Sequence, residues 1–182
     1  LLLNSTGRTG KSSLGVAICM GDRGKCLEEA NVALDEYRQA ITEILRWLDA
    51  HPDRVEEKES IYVLHVGEAV DEKMISAVST ILSTNMPNTE KPVIAYTAIP
   101  DENIIKVSAR TVDELTTKGF NIGEIMRISA ERFNGIGGGH DVAAGAQVPI
   151  KNKEDFLKYV DELVKDSIKR LTKLGNRDKT GL

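Results

Sequence analysis

Leu27, Ala30, Leu34, Tyr37, Ile41, Ile44 and Leu48 recur at alternating steps of three and four residues, the strongest periodic signal in the chain. Such spacing draws one apolar seam along a long helix. A helix of that length is either a core element or a bar joining two lobes. His51-Pro52 ends it, because the residue before a proline is disfavoured in helical geometry. The charged run from Asp53 to Glu59 then favours a boundary just after it.

On either side of the seam the pattern differs. Before it, a helix is predicted from Ser12 to Met20, capped by Ser12 or Ser13 and closed by Gly21, with a turn over Gly21–Gly24. From Ser60 onward the signal becomes α/β. Ile61 to Val66 reads as a short buried strand, and Met74, Ile75, Val78, Ile81 and Leu82 as a helix stripe. Val93 to Tyr96 is a second strand; a Pro100-Asp101 turn leads into a third from Ile104 to Arg110. Asn121 predicts a capped helix to about Phe133. A glycine-rich loop, a short Ala-rich helix over Asp141–Ala146, a strand around Val148 and an amphipathic helix to Leu174 complete the chain.

The implied fold class is α/β: a mixed β-sheet with flanking helices, preceded by a long connecting helix. The divisions are 1–24 as the end of one lobe, 25–59 as the connecting helix and linker, 60–174 as the α/β domain, and 175–182 as a frayed tail. An apolar fraction of 41% supports a core, and no apolar run approaches membrane-spanning length. Leu1-Leu2-Leu3 reads as the tail of a buried element, so the chain is expected to be part of a longer protein. Cys19 and Cys26 lack CxxC spacing, which points to a reducing, cytoplasmic setting. A net charge of −4 argues against non-specific coating of nucleic acid, so any phosphate contact must come from a few placed groups.

Three stretches carry candidate chemistry. The first, "TGRTGKSS" over Thr6–Ser13, resembles a phosphate-binding loop but fails its spacing. Counting back from Gly10-Lys11-Ser12, the required first glycine falls at Ser5, and Gly7 leaves too short a loop to wrap phosphates. The second is "NGIGGGHDVAAGA", Asn134–Ala146. Gly137, Gly138 and Gly139 permit positive φ and close approach to backbone, and His140 follows at once. With a helix beginning at Asp141, its N–H groups and the imidazole would form an anion site; the alternative is a hinge with a surface histidine. The third is "IIKVSAR": strand alternation puts Ile105, Val107 and Ala109 on one face and Lys106, Ser108 and Arg110 on the other. Two cations with a hydroxyl between them suit phosphates, unless the row is an ordinary solvated face. His51 reads as a helix-end residue and His65 as a sheet residue. No second cluster of metal ligands accompanies His140-Asp141, and no nucleophilic triad stands out.

"FNGIGGGHDVAAGAQVP" resembles the signature of the DHH-associated domain, the carboxyl-terminal lobe of DHH-family phosphoesterases. "NSTGRTG" is similar to the Asn-x-x-Gly-Arg segment that closes the DHH lobe of RecJ-like single-strand exonucleases, and Ser108-Ala109-Arg110 to the Ser-x-Arg of the associated domain. The order of the three is the family's, and the overall look is closest to archaeal RecJ-like proteins. The resemblance implies that Asn4 and Arg8 belong to the end of the catalytic lobe, with Arg8 reaching towards the scissile phosphate. Lys106, Ser108, Arg110 and the Gly137–His140 run would hold substrate phosphate, and Arg8 and His140 would stabilise developing charge. It also implies Mn²⁺ or Mg²⁺ in a catalytic lobe whose Asp and His motifs are missing here. This chain alone would then carry no metal and hydrolyse nothing. The expected partner is single-stranded nucleic acid, DNA favoured over RNA, with replication or repair proteins and no membrane. Alternatives are an oligoribonucleotide or cyclic-dinucleotide phosphodiesterase, a non-catalytic nucleic-acid-binding module such as those appended to alanyl-tRNA synthetases, and a replication scaffold.

Overall fold

In the computed structural model, which describes residues 1–67 and 73–179, the apolar seam folds as one 26-residue helix, Lys25–Ala50. It is the third helix of a unit spanning Leu1–Pro52, after α1 (Leu2–Arg8) and α2 (Ser12–Cys19), and is α3 below. Its buried positions are Ala30, Ala33, Tyr37, Ile44 and Leu48, with Leu27, Leu34 and Ile41 half-buried beside them. The seam is thus in phase, one residue broader than the periodicity implied. Both α1 and α2 pack on α3. At Gly15 of α2 a Cβ would lie 2.8 Å from Thr6 Oγ1, so the missing side chain lets the two short helices approach.

One expectation changes here, and the rejected phosphate loop stays rejected. Leu1 and Leu3 belong to the first turn of α1 and its approach, yet are 72% and 50% exposed rather than buried. The lysine that suggested a phosphate loop follows a helix, whereas a phosphate loop follows a strand. Lys11 lies in the turn between α1 and α2, and its Nζ pairs with Glu36 at 2.7 Å.

The unit Asp53–Leu182 is built on six strands. These are β1 (Val55–Glu57), β2 (Tyr62–His65), β3 (Val93–Ile99), β4 (Ile104–Arg110), β5 (Ile136–Gly139) and β6 (Ala143–Pro149), in spatial order β1-β2-β3-β4-β6-β5. Only β2 and β3 run parallel, joined through α4 (Ile75–Asn85); every other pair is antiparallel. β1 lies within the charged run read as linker. It is an edge strand whose Glu56 and Glu57 are exposed and paired to Lys58 and Lys91, which protects a free edge.

One sheet face carries the core. Val63, Ile94, Tyr96, Ile105, Val107, Ala109, Ala144, Ala146 and Val148 pack there with Phe120 and with α6 (Ile122–Arg132) and α7 (Lys153–Lys179). Asn121 caps α6 as expected, its Oδ1 accepting from the Glu124 N–H at 3.0 Å. A short helix, α5 (Asp113–Thr116), precedes it and carries no periodic signal long enough to read from sequence. α4 lies on the opposite face, where Ser79 meets Ser108. α7 continues past Leu174 to Lys179; the remainder of the tail expected to fray, 180–182, lies outside the described residues.

The Asp141–Ala146 helix is not formed. Ala143–Pro149 is strand β6, bonded on one side to β4 and on the other to β5. The helical propensity of Ala is a few tenths of a kcal/mol per residue and yields to two complete ladders. The glycine run is likewise a strand, not a loop.

His65 stacks on Tyr96 with ring centroids 4.7 Å apart. Arg54 Nη1 lies 3.5 Å from His65 Nδ1; a guanidinium only donates, so Nδ1 accepts and the proton sits on Nε2. Burial, then the positive charges of Arg54 and Lys153, lower the pKa of His65 below its ordinary 6.5. The unfolded chain therefore binds more protons just below that value, and the stability present above it is lost as pH falls through it. The melting midpoint should drop between about pH 7 and 5 more steeply in the native protein than in His65→Phe; parallel curves would remove this histidine from the pH response.

Candidate nucleic-acid interface

Register places the sequence-predicted residues in three cross-strand rows on the sheet face opposite the core. Ile136, Gln147, Lys106 and Thr97 form the first row across β5, β6, β4 and β3. Gly138, Gly145, Ser108 and Ala95 form the second. Arg110 pairs with Ala143 in the third, and the His140 N–H continues that row by donating to Ala143 O at 2.8 Å. Lys106 and Arg110 are four strand residues apart, about 13 Å between Cα atoms. His140 stands two strand spacings from Arg110, roughly 10 Å. The cationic strand and the glycine–histidine run share one face.

The middle row is a lane of bare backbone. A Cβ at Gly138 would meet nothing within 4 Å, while its φ of +146° is a conformation that side-chain-bearing residues rarely adopt. A groove of about 450 Å³ lies along it, lined by Lys106, Ile136, Gly138, Gly145 and Gln147 among others. At the Arg110 end a second cleft of about 610 Å³ is walled by Thr80, Ser83 and Thr84 of α4, by Thr111, and by Asp113 and Glu114.

The other two glycines of the run serve packing. A Cβ at Gly137 would lie 2.6 Å from Met126 O of α6, and one at Gly139 would lie 2.5 Å from Ala143 O. Gly123, in the first turn of α6, faces Gly139 O at 2.6 Å on the same test. Helix and strand backbones therefore touch directly. Of the three glycines expected at the ligand, geometry leaves one facing the lane.

The hairpin tip is pinned rather than hinged. Thr111 N donates to Val142 O and Ile122 N to Asp141 O, both at 3.1 Å, tying it to the end of β4 and the start of α6. His140 is exposed at this anchored tip. The helix end beside it belongs to α6, not to a helix starting at Asp141. Two of the first N–H groups of α6 are already engaged, by Asp141 O and by Asn121 Oδ1. The helix-terminal anion site expected at Asp141 is thereby withdrawn, and the imidazole at the end of a bare strand remains.

Lys106 and Arg110 are half-buried, and Arg110 is braced. Its Nε donates to Thr80 Oγ1 at 3.0 Å, and its Nη1 to Ala109 O at 2.8 Å and Ala144 O at 3.3 Å. Ser108 differs from both cations. It is 4% exposed, and its Oγ meets Ser79 Oγ at 2.9 Å beneath α4. Sequence alternation identified its face but not the helix above it. Ser76, Ser79, Thr80, Ser83 and Thr84, a hydroxyl stripe at helical spacing, were the unread signal. Asn4 and Arg8 lie one turn apart on α1 in the other unit, Asn4 exposed and Arg8 half-buried.

The metal pair implied by resemblance finds no home among the described residues, where no three His, Cys, Asp or Glu side chains converge. None of the described helices is long and apolar enough to cross a membrane.

The DHHA1 domain model matches residues 58–166, more than half of the chain. The chain belongs to the DHHA1 domain family. A relative by sequence is the protein MJ0831 of Methanocaldococcus jannaschii, 33% identical over 93% of this chain but only 35% of that protein. The chain thus spans about a third of that relative's length. Among solved structures, RecJ of Thermus thermophilus with Mn²⁺ matches 91% of this chain and 23% of its own, at 19% identity and a TM-score of 0.68. The pGpG-specific phosphodiesterase PggH of Vibrio cholerae matches 91% of this chain and 58% of its own, at 14% identity and a TM-score of 0.55. These likenesses establish the fold of the DHHA1 unit and its neighbour in the chain.

Because Ser79 Oγ also donates to Ser76 O at 3.2 Å, it accepts from Ser108. Ser79→Ala should leave a buried hydroxyl without an acceptor and cost about 1–3 kcal/mol in urea denaturation. Adding Ser108→Ala should recover part of that loss; strict additivity would show that the two hydroxyls do not interact.

Proposed function

We propose that this chain is the substrate-holding part of a metal-dependent phosphodiesterase, a RecJ-like exonuclease acting on single-stranded DNA in preference to RNA. The observation that carries the reading is the shared face: Lys106, Arg110, His140 and the bare Gly138–Gly145 lane lie within three adjacent rows of one sheet. A phosphodiester in the lane would meet backbone at Gly138, a cation on either flank, and an imidazole at the hairpin tip. Ser108, under α4, would act by supporting the strand that carries both cations. Asn4 and Arg8, on α1 of the Leu1–Pro52 unit, are assigned to phosphate in their own right. The chain's own residues bind and orient. The Mn²⁺ or Mg²⁺ pair would supply the hydrolytic chemistry in a lobe bearing its own ligands, and replication or repair proteins are the fitting partners.

Local charge decides the binding mode. With 24 Lys and Arg against 28 Asp and Glu the chain has no general attraction for nucleic acid, and aromatic residues are 4% of it. Recognition should rest on phosphate contacts and be salt-sensitive. Arg110→Ala should weaken single-strand binding on all base sequences alike and reduce the log–log salt slope by about one. Titrations on homopolymers at several salt concentrations check this; a loss confined to one base would overturn the phosphate role. In the full-length protein His140→Ala should lower turnover while the melting curve holds, since the side chain is exposed. An unchanged rate would remove His140 from the site.

A second reading, a phosphodiesterase for dinucleotides or very short oligoribonucleotides, draws support from the size of the lane. Its open floor, Gly145 to Gly138, is one strand spacing, about 5 Å. A length series of substrates separates the two: rates that peak at two nucleotides favour the second reading, and rates that hold for long single strands favour the first.

A further inference from the structure

We infer that Thr80 of α4 is a positioning residue for Arg110, fixing the guanidinium for its anion; this rests on the phosphate role proposed above. A half-exposed arginine has four rotatable side-chain torsions, and freezing them on binding weakens affinity. Here the guanidinium is already held by oxygens of three elements: Thr80 Oγ1 of α4 at 3.0 Å, Ala109 O of β4 at 2.8 Å and Ala144 O of β6 at 3.3 Å. Two of these are backbone carbonyls that no substitution removes. Of these three contacts, Thr80 supplies the one made by a side chain, and through it the sequence acts on the arrangement.

The polarity of the threonine is set. Its hydroxyl has one proton, and Thr80 Oγ1 donates it to Ser76 O at 2.8 Å. A lone pair is therefore presented to the Arg110 Nε–H, and that bond defines the plane of the guanidinium at the cleft. The preceding residue, Ser79, grips Ser108 two positions earlier on β4. Consecutive residues of one helix thus set alternate residues of one strand, in the motif Ser108-Ala109-Arg110. Thr80 itself is exposed and contributes little to the core, so its removal can be tested without unfolding the protein.

The experiment uses this chain, with 5′-phosphorylated and 5′-hydroxyl single-stranded oligonucleotides as probes at low salt. Thr80→Val preserves shape and removes the acceptor; Thr80→Ser preserves the acceptor. Thr80→Val should weaken binding roughly three- to tenfold, Thr80→Ser should restore it, and melting curves should coincide. The Thr80→Val effect should vanish in an Arg110→Ala background, because nothing is left to position. If Arg110→Ala weakens binding while Thr80→Val binds as the native protein does, the positioning role is overturned and the phosphate reading stands. An undiminished Thr80→Val loss on Arg110→Ala also overturns it, by showing a route that bypasses the arginine. If Arg110→Ala itself changes nothing, both readings fall together.

Discussion

Backbone contact between α6 and β5 is the constraint from which the rest of the α/β unit follows. Gly123 on the helix and Gly137 and Gly139 on the strand each occupy a place where a Cβ would intrude on main-chain atoms. A strand so rich in glycine loses about 0.5–1 kcal/mol per residue to backbone entropy, offset by a full ladder to β6 and by helix–strand contact closer than side chains allow. The same choice has a second effect on the opposite face. With Gly138 and Gly145 side by side, the sheet surface is stripped to main chain where a phosphate would lie.

That face is shaped by what covers it and what does not. α4 closes one end, gripping β4 through Ser79 and Thr80, while beyond it Ile136 of β5 and Gln147 of β6 are exposed. Cations flank the lane because strand period places Lys106 and Arg110 on one side. His140 joins them because the hairpin returns the chain at the level of Arg110 and is tied down by Thr111 and Ile122. A chain of net charge −4 thereby places two cations beside a bare floor, with Asp113 and Glu114 walling the cleft at the Arg110 end. Such an arrangement favours a few fixed phosphate contacts over diffuse attraction.

The unit Leu1–Pro52 is organised by a different rule. α3 presents its seam, and the two short helices pack on it with Gly15 allowing their approach. The lysine that looked like part of a phosphate loop is tied to Glu36 instead. Spacing alone had already disqualified that stretch, since glycine count without glycine position does not wrap a phosphate chain.

Residue order by itself determined the long helix, the strand Ile104–Arg110 to the residue, the Asn121 cap and the face shared by Lys106, Ser108 and Arg110. All of these depend on period and capping, which are local properties of a chain. It also held the glycine–histidine signature, and with it the family. Tertiary structure alone decided that Ala143–Pro149 is a strand, that two of three glycines face α6 or β6, and that Ser108 is roofed by α4. Those outcomes turn on which segments pair and what lies above them. Partners distant in sequence leave no periodic trace in either one, so the ladder that overrode alanine's helical preference was invisible until the strands were side by side.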